Sequence, residues 1–173
     1  MKNLINFGLE YLQPNLLIKI NLHIMGRLQA YPLEHSEDKL RYRFISKGES
    51  GHIVKLVRYE PMGERDWNLA FGDANSDESD FDDKIISNNG DMRQIIQTLF
   101  LTGLVFTEAY PNRRIFVEPV DAKRGLLYNR VFKDKQVEIE AFFYIKGKLP
   151  KRKAEKYNPL KIYRSFILTR KII

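Results

Sequence analysis

A chain of 173 residues with 43% apolar content is ordinary for a globular protein and holds enough for one real core. It contains no cysteine, which excludes disulfides, thiol catalysis and cysteine-ligated zinc or iron–sulfur centres, and is compatible with a reducing cytosol. The formal charge of +7 is uneven: residues 1–90 carry 11 Lys and Arg against 14 Asp and Glu (net −3), and residues 91–173 carry 18 against 8 (net +10), which points to an anionic partner for the second half or to a basic face that meets an acidic segment.

Taken in chain order, residues 1–28 are an extension or a packed helix (Leu4 to Leu12) and strand, and Met25 is an alternative start to Met1. Glu10, Pro14, Asn15, Lys19 and Asn21 interrupt the apolar run, so it reads neither as a secretion signal nor as a membrane span. Residues 29–173 read as a single α+β domain. Leu40, Tyr42, Phe44 and Ser46 alternate, residues 47–51 form a turn, and residues 52–59 return as a second strand. Trp67, Leu69 and Phe71 make the third strand of a meander. Residues 73–91 are too rich in Asp, Asn and Ser to form an element. Met92, Ile95, Ile96, Leu99, Phe100 and Gly103 then recur at helical spacing, with Asp91 as N-cap and Gln94 as its capping-box partner.

Further on, Ile115 to Val117 is a strand, and Asp121 caps a short helix to about Phe132 with Leu127 and Val131 facing inward. Val137, Ile139, Ala141, Phe143 and Ile145 alternate with Glu138 and Glu140 as a strand with one wet end. Residues 147–159 are a basic loop, and Ile162 to Arg170 is a last strand. The order β-β-β-α-β-α-β-β predicts α+β: a twisted, mostly antiparallel sheet with two helices on one face.

The stretch Asn68-Leu69-Ala70-Phe71-Gly72-Asp73, then Asp82-Asp83, then Ser87-Asn88-Asn89-Gly90-Asp91 resembles the signature of a family of small bacterial proteins of unknown function, over about Tyr31 to Lys171. The resemblance implies a compact α+β domain and no activity. In that family a Gly-Ser-Thr turn precedes an arginine-rich helix start and a Leu-Tyr pair. This chain keeps Arg124, Leu127 and Tyr128, has Pro119, Val120 and Asp121 in place of the small hydroxyl turn, and has Leu126 where the family has a second arginine. An anion site built from those groups in relatives is therefore damaged here, with Arg124 and Tyr128 left as single-residue candidates.

Asp73, Asn75 and Asp77 open like a calcium loop, but Glu78 stands at the sixth position and Lys84 at the twelfth, where the loop needs Gly and Glu. No metal or cofactor is expected. His23, His35 and His52 are scattered, and no phosphate loop or nucleophile elbow is present. Asn68, Gly72, Asp73, Asn88, Asn89 and Asp91 are structural residues on this reading. The run Lys146, Lys148, Lys151, Arg152, Lys153, Lys156, Lys161, Arg164 holds one acid, Glu155, and interleaves Tyr144, Tyr157 and Tyr163. Cations neutralise phosphate and rings stack on bases, so Lys151, Arg152, Lys153 and Lys156 join Arg124 and Tyr128 as candidate contacts to nucleic acid or another anion.

The leading expectation is a small basic cytoplasmic binding protein that engages nucleic acid or an acidic protein, of the type found in toxin–antitoxin or phage-defence pairs. The alternative is a metal-independent ribonuclease-type toxin using Arg124 and Tyr128. A third class is a scaffold whose acidic loop mimics nucleic acid.

Overall fold

The computed structural model describes residues 29–82, 87 and 89–171. The expected N-terminal helix and Asn88 lie outside the described residues. The fold is α+β. Its strands are β1 (Glu34–His35), β2 (Arg41–Gly48), β3 (Gly51–Pro61), β4 (Asp66–Ala74), β5 (Phe81–Asp82), β6 (Arg114–Val117), β7 (Phe143–Lys148), β8 (Glu155–Lys156) and β9 (Ser165–Arg170). Its helices are α1 (Met92–Ala109), α2 (Ala122–Asp134) and α3 (Gln136–Glu140). The sheet order is β1-β2-β3-β4-β6-β9-β7-β8, with β5 beside β4. Of the described pairings only β4–β6 is parallel. The described residues fall into two compact units, one running up to Arg58 and including Phe71–Phe106, the other Tyr59–Ala70 with the chain after Thr107.

In the first unit, β2 and β3 form the expected hairpin. Tyr42, Phe44 and Ser46 are buried and alternate with more exposed neighbours. The turn closes on the pair Gly48–Gly51, where Gly51 takes φ 87, a left-handed value that suits glycine. Helix α1 starts where its apolar spacing starts, but not by the expected capping box. The Asp91 carbonyl accepts from the N–H of Gln94 and Ile95 at 2.9 and 3.1 Å. Its carboxylate instead accepts from the hydroxyls of Tyr31 and Ser46 at 2.7 and 2.6 Å. Burial, and then the bond to Asp91, raise the pKa of Tyr31, so it stays a donor.

Ser87 and Asn89 of the Ser-Asn-Asn-Gly-Asp turn are spent the same way. Asn89 is 2% exposed; its amide donates to Ser46 Oγ (2.9 Å) and Gly51 C=O (3.1 Å) and accepts from Ser50 N–H (2.7 Å). Ser87 and Asp73 both receive the buried Lys55 ammonium. The two halves of the signature thus converge on one strand, β3, and its hairpin. An unpaired charge there would cost several kcal/mol, so Asp73 is held by structure.

Residues 74–82 are more ordered than expected. Strand β4 continues to Ala74, and β5 pairs back onto it at Asp73–Asp82 and Ala74–Phe81. The turn between is tied by Asn75 and Asp80, whose backbone and side-chain bonds run 2.8 and 3.1 Å. Its acids meet cations of the same unit: Glu78 with Arg43 at 2.7 Å and Asp80 with Arg58 at 3.0 Å. Hydrogen bonds from Arg43 and from Ser79 hold the carboxyls of Glu78 and Asp77 below their usual range.

In the second unit, β4, β6, β9, β7 and β8 lie side by side. One face is covered by α2, which starts on Asp121 as expected, the carboxylate accepting from Arg124 N–H at 2.8 Å. Its buried residues are Asn129 and Phe132, however, while Leu127 and Val131 are half-buried. The Phe132 ring stacks on Phe166 at 3.9 Å, and Tyr157 and Tyr163 complete the cluster. The Asn129 amide pairs with both the N–H and C=O of Tyr163 at 2.8 Å. Gly147 leaves the slot for the Tyr163 ring: a Cβ there would lie 2.3 Å from it.

The expected strand from Val137 is a correction. Residues 136–140 form α3, and the strand begins only at Phe143. The alternation of Val137 and Ile139 with glutamates mimics a strand, but Val137 is 82% exposed and Ile139 alone is buried. On a helix Glu138 and Glu140 are two positions apart and do not face each other. Glu138 instead bonds Lys135 at 2.9 Å. The last strand also starts later than expected, at Ser165.

Candidate nucleic-acid interface

Side chains directly opposite each other across paired strands share a face of the sheet. In the second unit the register therefore builds a row from Asn68 through Phe116, Ile167 and Lys146 to Lys156. A neighbouring row runs Asp66, Arg114, Thr169, Tyr144. Lys148 stands two residues beyond Lys146 on the same side. Helix α2 packs through Phe166 on the opposite face, so these residues stand on the open one, where Phe116 is itself only 8% exposed. Tyr144 is 62% exposed, and Lys146, Lys148 and Lys156 are exposed.

The open face is electrically unbalanced. Lys146 and Lys156 are directly opposite each other on β7 and β8, a like-charge pair that disfavours the strand pairing it belongs to. Glu155, the one acid of the basic run, falls on the other face, where it accepts from Lys161 at 2.7 Å and Tyr163 at 2.8 Å. Asp66 is on the open face but is held in a fork by Arg114, at 2.6 and 2.7 Å.

Over Phe116 and Ile167 of the first row lies a cleft of about 660 Å³. Met62, Phe116, Ala154 and Ile167 give it an apolar lining, and Lys148, Lys151, Arg152 and Lys153 a basic one, with Asp66 at its side. The basic loop is shaped by a tight turn in which Arg152 N–H donates to Leu149 C=O at 3.2 Å. Pro150 suits the second position of that turn, and Lys151 takes the third with φ 56. A left-handed lysine costs roughly 1 kcal/mol that glycine avoids. Lys151→Gly is therefore expected to raise stability by a few tenths of a kcal/mol or leave it unchanged. The same change should weaken binding of a polyanion severalfold. Urea unfolding and an anion-binding titration on one sample check both signs.

Of the candidate contacts, the structure gathers Lys151, Arg152 and Lys153 in the cleft and places Lys156 on the same face beside Lys146. It does not add Arg124 and Tyr128 to them. Both lie on α2; Tyr128 is half-buried, and the Arg124 side chain is only 15% exposed and sits 3.9 Å from Asp121. Tyr157 and Tyr163 are corrections as stacking rings: both are core residues, 6% and 2% exposed, and burial raises the pKa of each. Only Tyr144 of the three is presented outward.

Composition did not single out Asp66, Arg114, Phe116 and Ile167, because they come from three separated strands and meet only through register. Asn68, expected as a structural residue, stands at the head of the open row by register. Among the described residues no group of His, Cys, Asp and Glu is arranged to hold a metal ion, and no described helix is long and apolar enough to cross a membrane. His35 is buried against Tyr42, and His52 is exposed opposite Lys47.

No curated protein and no solved structure matches the chain. From residue 27 to residue 171 the sequence matches the model of a family of unknown function, DUF6934, and the chain belongs to that family.

Proposed function

We propose that the protein works by binding nucleic acid on the open sheet face of its second unit. The observation that supports this best is the pairing of Lys146 with Lys156, which has no ion-pair partner among the described residues, continued by Lys148 and the cleft residues Lys151, Arg152 and Lys153. Cations set side by side cost folding energy unless an anion neutralises them. A row of them flanked by an exposed tyrosine and apolar residues suits a phosphate chain that carries aromatic bases. The acidic turn of the first unit supports a mimicry role less well, since Glu78 and Asp80 are neutralised by Arg43 and Arg58.

The test is a fluorescence-anisotropy titration of labelled RNA and DNA oligonucleotides with the full chain. Saturable binding that weakens steeply with salt is expected. A chain that ignores both nucleic acids at low salt, yet retains an acidic protein from its host, would overturn the reading.

A further inference from the structure

We infer that this face takes nucleic acid as an unpaired strand, with one nucleotide lodged in the cleft. The inference rests on the nucleic-acid reading above and narrows it. A duplex presents phosphates outward and hides the faces of its bases in the stack. A surface made only for duplex phosphates has no use for apolar ground between its cations. This one has such ground: Met62, Phe116, Ala154 and Ile167 lie among Lys148, Lys151, Arg152 and Lys153. The cleft volume of about 660 Å³ falls within the range of small-ligand pockets, roughly 300 to 1,000 Å³, so it admits a base with its sugar and phosphate. Its carboxylate does not repel an anion at full strength, because Arg114 grips Asp66 with two hydrogen bonds.

The second ring platform is at the right place for a continuing strand. Tyr144 is on the open face, four residues along β7 from Lys148, or roughly 13 Å at about 3.3 Å per residue. Tyr144 is 62% exposed as a residue, and Lys171 Nζ stands 5.1 Å from its ring centroid. A strand leaving the cleft passes Lys146 and Lys156 and reaches that ring, beside Lys171, whose ammonium also donates to the Glu140 C=O. The ligand is thus an unpaired strand, of which the cleft holds one nucleotide and the Tyr144 ring meets another.

The experiment compares a short mixed-sequence single-stranded RNA, the matching single-stranded DNA, a duplex of the same sequence, and adenosine monophosphate as competitor, all with the full chain. The inference expects the single strands to bind at least tenfold more tightly than the duplex. Tyr144→Ala should weaken the single strand about five- to a hundredfold and leave the duplex unchanged, and Tyr144→Phe should restore it. Ile167→Thr, which keeps a β-branched residue in the strand, should also weaken the single strand. Competition by the monophosphate at concentrations comparable to the oligonucleotide would place the specificity in the cleft alone and overturn the strand. Equal binding of duplex and single strand, indifferent to Tyr144, would overturn the inference while the nucleic-acid reading stands. Binding of none of these would overturn both.

Discussion

Gly48→Ala is expected to destabilise the protein by more than about 3 kcal/mol, enough to unfold a marginally stable domain. The added Cβ would lie 1.7 Å from the Asn89 carbonyl oxygen and 2.8 Å from its carbon. Neither partner can move away cheaply. The Asn89 C=O accepts from Glu49 N–H at 3.1 Å, and the Asn89 side chain is tied to Ser46, Ser50 and Gly51. Displacing Asn89 would also displace Asp91 and the start of α1, so a methyl group on the β2–β3 hairpin is felt by the helix. Two other glycines give the scale. Gly51→Ala meets no neighbour but takes φ 87, and should cost about 1 kcal/mol from backbone strain. Gly63→Ala meets no neighbour and has no such φ, and should fall within about 0.5 kcal/mol of the parent. Urea midpoints for the three variants test the ranking. A Gly48→Ala protein as stable as Gly63→Ala would show that the hairpin and the turn do not touch as described.

Removing the three cleft cations together, Lys151→Ala, Arg152→Ala and Lys153→Ala, should reduce nucleic-acid affinity tenfold or more at low salt. Each cation that neutralises a phosphate of a single strand contributes about 0.7 to the slope of log affinity against log salt, so the slope should fall by about 2. All three residues are exposed and sit in a loop, so stability should change by no more than about 0.5 kcal/mol. The control removes equal charge elsewhere: Lys123, Arg130 and Lys133, also exposed, lie on α2, which covers the other face of the sheet. If net charge alone drove binding, both triples would act alike. A specific face predicts that only the cleft triple lowers the slope.

How far the residues alone carried the reading differs from element to element. Helix α1 was legible because its apolar positions recur over five turns with no competing pattern. The β2–β3 hairpin was legible because Tyr42, Phe44 and Ser46 alternate up to a glycine-bracketed turn. Residues 136–140 were not, since a helix this short carries too few positions to distinguish its period from alternation. The Asp91 side chain was misassigned for another reason: a cap is a local device, and Tyr31 and Ser46, which take its carboxylate, lie 60 and 45 residues away in sequence. The same limit hid Lys55 as the meeting point of the two signature segments. The basic run was visible as charge, but charge does not say which side of a strand it occupies. Register does: it sends Lys146, Lys148 and Lys156 to the open face, Glu155 to the other, and brings Phe116 and Ile167 between them. Tyr163 looked like one more ring in a basic loop until Gly147 and Asn129 supplied the slot and the partner that bury it.

The most direct test of the account is amide chemical-shift mapping of the full chain titrated with a short single-stranded RNA. Perturbations are expected to concentrate on Phe143–Lys148, the loop and strand from 149 to 156, Ser165–Arg170 and Phe116. Perturbations confined to α2 around Arg124 and Tyr128, or to the acidic turn at 75–80, would contradict it, as would a spectrum that does not change.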